Sequence, residues 1–72
     1  MDNYIQGKFF LASDGAATLN IHDAHMVSLS NGMAIKLLYN GEWVSGIYID
    51  GDVIYSKGKE RLRIGDNIRI KK

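Results

Sequence analysis

Few residues in this chain are spaced for catalysis. The first candidate is His22-Asp23-Ala24-His25. Two imidazoles and a carboxylate could hold a metal with an open position, or act as an acid–base pair. A structural zinc site needs a fourth ligand, and no thiolate can supply it because the chain has no cysteine. A polar surface turn accounts for the same four residues.

Phosphate chemistry has weaker support. Gly7-Lys8 and Gly58-Lys59 are Gly-Lys pairs, but neither is a P-loop. Gly51 precedes Gly58 by seven positions where the loop needs five, and Glu60 stands where Ser or Thr must hold magnesium. Ser13, Ser28, Ser30, Ser45 and Ser56 offer hydroxyls, but none lies in a Gly-x-Ser-x-Gly elbow. No carboxylate pair is spaced for acid–base work. The expectation is a protein that is not an enzyme and needs no cofactor and no metal.

Charge is the stronger signal. The net charge is only +1, but it is unevenly placed. Residues 57–72 carry Lys57, Lys59, Arg61, Arg63, Arg69, Lys71 and Lys72 against Glu60 and Asp66, a net +5. Residues 1–56 carry two cations against six carboxylates, a net −4. Read as a strand, Arg61 and Arg63 point one way and Leu62 and Ile64 the other. Trp43, Tyr48 and Tyr55 are the aromatic candidates to join this basic face.

Three readings of the basic end compete. It binds phosphate, in nucleic acid or a signalling nucleotide, with arginine on phosphate and rings on bases. It meets the acidic body of a second copy or of a host protein. Or it is a solvated strand face whose lysines discourage edge pairing.

The elements that position these residues read as strands. Asn40-Gly41 separates Met33–Tyr39 from Glu42–Ile49, and Asp50-Gly51 separates that run from Asp52–Ser56. Both dipeptides suit the type I′ turn, whose two central residues need positive φ. Ser30-Asn31-Gly32 offers a further turn after Met26–Leu29, so a four-strand meander is expected over residues 26–56. Met33, Ile35, Leu37 and Tyr39 fall on one face of their run, and Ala34, Lys36 and Leu38 on the other. Trp43, Ser45, Ile47 and Ile49 share a face opposite Val44, Gly46 and Tyr48. Gly46 in mid-strand marks a bend or bulge, the usual device for turning a barrel corner.

Tyr4–Leu11 reads as a strand, Ala16–Ile21 as an ambiguous one, and Arg61–Ile64 and Ile68–Lys71 as an alternating pair joined at Gly65-Asp66-Asn67. No stretch keeps a helical period. The expected fold is all-β: a single domain over residues 1–72, an SH3-like or partly open barrel of six to seven short antiparallel strands.

Seventy-two residues leave little room for a substrate cleft, and so small a core favours a homo-oligomer. A composition of 46% hydrophobic and 24% charged residues argues against disorder. The acidic Met1-Asp2-Asn3-Tyr4 start is unlike a secretory leader, and no apolar run approaches the ~20 residues of a membrane span. A cytoplasmic protein is expected.

The stretch Leu29–Val44, with its Asn40-Gly41-Glu42-Trp43 turn, then Gly46-Ile47-Tyr48, Asp50-Gly51 and Gly65-Asp66-Asn67-Ile68-Arg69-Ile70, resembles a small-protein family known only as a domain of unknown function. Its members come from Gram-positive bacteria, their phages and mobile elements. The chain departs from that pattern at Gly46-Ile47, where a basic residue is common. The resemblance covers roughly residues 29–70 and implies a small β-barrel of mobile-element origin. Phage proteins of this size often act stoichiometrically on a host defence protein, and that is the leading functional expectation.

Overall fold

The computed structural model describes residues 4–21 and 25–71. Every regular element in it is a strand: β1 (Tyr4–Leu11), β2 (Ala17–Asn20), β3 (Met26–Ser28), β4 (Ala34–Tyr39), β5 (Glu42–Ile49), β6 (Asp52–Tyr55), β7 (Gly58–Arg61) and β8 (Asn67–Lys71). They form one antiparallel sheet in the order β3-β2-β1-β8-β4-β5-β6-β7. The sheet does not close, since β3 and β7 are its two edges. The expected all-β, partly open architecture is present, with eight strands in place of six or seven. The ambiguous Ala16–Ile21 run supplies β2.

The two dipeptide turns form as their chemistry requires. Asn40 and Gly41 have φ of 51° and 80°, and Asp50 and Gly51 have 46° and 86°. They set the β4–β5 register at Tyr39↔Glu42 and the β5–β6 register at Ile49↔Asp52.

The expected meander over residues 26–56 is corrected at its start. β3 pairs with β2, through Leu19↔Val27, and not with β4. The free edge of β4 is taken by β8, through Ile35↔Ile70 and Leu37↔Ile68. The Asn31-Gly32 turn instead clasps the far hairpin. The Asp50 amide donates to Asn31 Oδ1 at 2.8 Å, Asn31 Nδ2 donates to Asp50 Oδ1 at 3.0 Å, and the Gly32 amide donates to the Tyr48 carbonyl at 2.8 Å.

The second correction concerns β7. It spans Gly58–Arg61 and pairs with β6, so the chain leaves the sheet after Arg61. Leu62 is buried, but Ile64 is 59% exposed, and the expected alternation through Ile64 fails. The chain must travel from edge strand β7 to central strand β8 through residues 62–66 alone. Four strand spacings are about 19 Å on a flat sheet. Six extended steps reach only about 20 Å, and this segment also turns at Ile64-Gly65. The sheet must therefore roll. The loop is tied on both sides: the Leu62 amide donates to the Gly51 carbonyl at 2.9 Å, and the Gly65 amide to the Phe9 carbonyl at 2.8 Å.

Rolling gives the sheet an inner face. Phe9, Leu19, Ile35, Leu37, Tyr48, Val53, Leu62, Ile68 and Ile70 form the core. Each contributes about 1.5–3 kcal/mol by leaving water. Gly46 lies on this face in β5, where a Cβ would collide with the Ile54 carbonyl oxygen. Close strand approach, and not a bulge, is what requires glycine there: Gly46 keeps the β4–β5 register opposite Ile35.

Candidate anion-binding face

The alternation that buries Ile35, Leu37, Ile68 and Ile70 sends their neighbours to the opposite, outer face. From β1 these are Tyr4, Gln6, Lys8 and Phe10. From β8 they are Asn67, Arg69 and Lys71. β4 adds Ala34, Lys36 and Leu38, and β5 adds Trp43, Ser45, Ile47 and Ile49. The central four strands thus present Lys8, Lys36, Arg69 and Lys71 outward and not one carboxylate.

The register fixes the layout. One row across the sheet runs Ser45, Lys36, Arg69, Gln6. Lys36 and Arg69 are direct partners on β4 and β8. Two residues along in one direction lies the row Trp43, Leu38, Asn67, Lys8. Two residues along in the other lies Ile47, Ala34, Lys71, Tyr4.

Aromatic rings sit at opposite corners of this patch, each under a cation. The Arg69 guanidinium lies over the Trp43 ring at 4.0 Å from its centroid, and Lys36 Nζ over the Tyr4 ring at 4.4 Å. Such contacts contribute about 0.5–1 kcal/mol when exposed. Arg69 Nε also donates to Gln6 Oε1 at 2.9 Å, and Lys8 Nζ to Asn67 Oδ1 at 3.3 Å. Among the described residues none of the four cations is in an ion pair. The arrangement can neutralise an extended anion and offers two planar rings beside it.

The candidate residues read from sequence separate into four groups. Arg69 and Trp43 are brought together on the outer face. Lys59 and Arg61 lie on the same face but at the β7 edge, and Arg61 Nε is paired with Asp52 Oδ1 at 3.1 Å. That arginine side chain is 70% exposed, so the pair contributes little to stability. Lys57 is exposed in the β6–β7 turn, and Arg63 is exposed in the loop after β7.

Tyr48 and Tyr55 are on the inner face. Tyr48 is 5% exposed within the core, and Tyr55 packs against it. Neither shares a surface with Trp43 and Arg69. The reason is parity: Tyr48 pairs with buried Val53, and Tyr55 lies two residues from Val53 on the same strand, whereas Ile47 and Ile54 pair on the outward face.

Nothing in the sequence alone singles out Lys8, Lys36, Tyr4 and Gln6. Period two places Lys36 away from Ile35 and Leu37, and Tyr4 away from Ile5. What joins them to Arg69 is the pairing of β1, β8 and β4, which sets Gln6 on one side of it from 63 positions away and Lys36 on the other from 33 positions away.

Of the His22-Asp23-Ala24-His25 candidate, His22 and Asp23 lie outside the described residues, and His25 is exposed. Among the described residues no group of His, Cys, Asp or Glu could hold a metal ion. A cavity of about 360 Å³ is lined by Leu37, Leu38, Tyr39, Glu60, Arg61, Arg63 and Asp66. Its two arginines are matched by two carboxylates, so it has no preference for an anion. Among the described residues no helix is long and apolar enough to cross a membrane.

No family model, curated protein or solved structure matches the chain.

Proposed function

We propose that this protein is a nucleic-acid-binding module that works by binding alone and uses the outer face of β1, β8, β4 and β5. The observation that carries this reading is the four outward cations on those strands with no carboxylate among them. A stability role alone would favour mixed charge, because like charges opposed across a ladder are destabilising. A spread of four cations suits a polymer of phosphates better than one nucleotide. Lys8 and Lys71 are four residues apart along the ladder, about 13 Å.

The test is fluorescence anisotropy with labelled 12-nucleotide DNA and RNA at low and high salt. Binding is expected at low salt, with a steep loss as salt rises, because neutralised phosphates release counterions. Paired Lys36→Glu and Arg69→Glu substitutions should abolish it. Absence of binding at low salt, or binding unchanged in the double variant, overturns the proposal.

A protein partner is the second reading. It is favoured by Ile47, Ile49 and Ile54, which are 38–41% exposed on the outer face of β5 and β6, with Ile47 directly opposite Ile54. Adjacent exposed apolar side chains suit a protein contact, whether a second copy in a cytoplasmic homo-oligomer or a host defence protein met by a phage-encoded inhibitor. Light scattering tests the first. Capture of a host protein that Ile47→Lys and Ile54→Lys release tests the second.

A further inference from the structure

We infer that the outer face takes single-stranded nucleic acid in preference to duplex, with one base stacked at Trp43 and another at Tyr4. This rests on the nucleic-acid reading above and goes beyond it, since phosphate binding alone would accept either form.

Both rings lie on the cationic face, and each already holds a cation at stacking distance, 4.0 Å at Trp43 and 4.4 Å at Tyr4. A base is a larger planar group and stacks on an aromatic ring more strongly than an exposed cation does. A base arriving at Tyr4 displaces Lys36 Nζ, which is then free for the adjacent phosphate. At Trp43 the planar Arg69 guanidinium can move to phosphate in the same way, because its second tie, to Gln6, is a single exposed hydrogen bond. Base stacking and phosphate neutralisation are thus coupled at both corners. A duplex keeps its base faces buried and can use only the cations.

The separation of the rings suits a short strand. Trp43 and Tyr4 are three strands apart and four residues apart along the ladder. That is about 20 Å over the sheet surface. At a stacked rise of about 3.4 Å, six nucleotides would cover it, and an extended strand would need fewer. Lys36 and Arg69 lie midway, where the intervening phosphates pass. The polar side chains best suited to reading base edges are Gln6 and Asn67, and both are engaged by Arg69 and Lys8. Sequence preference should therefore be weak.

Trp43 is the single tryptophan, so its fluorescence reports the site directly. The intact protein is titrated at low salt with an eight-nucleotide thymidine strand, an abasic strand of the same length and charge, and an eight-base-pair duplex. The thymidine strand is expected to quench Trp43 and to bind roughly tenfold or more tighter than the abasic strand. Tyr4→Leu should reduce that advantage severalfold by removing one of the two stacking rings, and an undiminished advantage would overturn the placing of a base at Tyr4. Equal affinity for thymidine and abasic strands, or equal or tighter binding of the duplex, overturns the stacking inference and leaves the nucleic-acid reading standing. If none of the three binds, both fail.

Discussion

Lys36 and Arg69 stand directly opposite each other on β4 and β8, yet their side chains part. Arg69 reaches across β4 to the Trp43 ring, and Lys36 reaches across β8 to the Tyr4 ring. Like charges opposed on a ladder cost a few tenths of a kcal/mol up to about 1 kcal/mol. The two cation–π contacts return about the same. The crossing therefore adds almost nothing to stability, and it leaves both charges in reach of a ligand.

Replacing Lys36 by glutamine should separate these effects. The variant loses the contact with Tyr4 and also the repulsion from Arg69. Its unfolding free energy should stay within about 0.5 kcal/mol of the parent, the usual range for a surface change. Oligonucleotide affinity should fall severalfold. Urea denaturation and anisotropy on the same preparation check both. A loss of stability above about 1 kcal/mol would make Lys36 a structural residue instead.

The salt dependence carries a number. Four phosphate contacts on a single strand give a slope of log K against log salt of about −3, since each contributes about −0.7. Arg69→Gln should reduce the slope by about one such step. A slope near zero would mean that the cations of the central strands do not meet phosphates.

Much of the fold is legible in the sequence because its signals are local. Asn40-Gly41 and Asp50-Gly51 specify turn type through φ, and period two assigns the faces of Met33–Tyr39 and Glu42–Ile49. The partners of β3 and β4 are not legible, because the Ser30-Asn31-Gly32 turn reads as a hairpin while its side chain is committed to Asp50, nineteen residues on. The candidate site is half legible. Arg69 and Trp43 stand out by type, but the basic C-terminal segment is divided by the fold. Lys59 and Arg61 go to an edge, while Arg69 and Lys71 go to the centre of the sheet. Lys8 and Lys36 then join the centre from the acidic part of the chain, through pairings no local pattern encodes.

The link between Asn31 and Asp50 is testable by itself. Asn31→Ala removes one hydrogen bond to the Asp50 amide and one to its carboxylate, at 2.8 and 3.0 Å. Both are exposed, so water replaces them in part. The expected cost is about 1–2 kcal/mol, from about 0.5–1.5 for each bond. Binding at the outer face should be unaffected. Urea denaturation measures the first and anisotropy the second, and a change in affinity would show that the clasp positions the face.

Two glycines of β4–β6 distinguish close packing from backbone strain. Gly41 has φ of 80° and open space around it, so Gly41→Ala pays only for a left-handed conformation, about 1–2 kcal/mol. Gly46 has no such φ, but its Cβ would overlap the Ile54 carbonyl oxygen and stand 2.8 Å from Val53 Cγ1, which is fully buried. Neither neighbour can yield without moving β6 off the core. Gly46→Ala should therefore cost more, about 3 kcal/mol or above. For a domain this small that is a large share of its total stability. Each kcal/mol lowers Tm by roughly 4–8 °C, so Gly46→Ala should melt several degrees below Gly41→Ala. The reverse order would mean that β5 and β6 do not approach at Gly46, and the roll that brings the loop after β7 back to β8 would lose its main local cause.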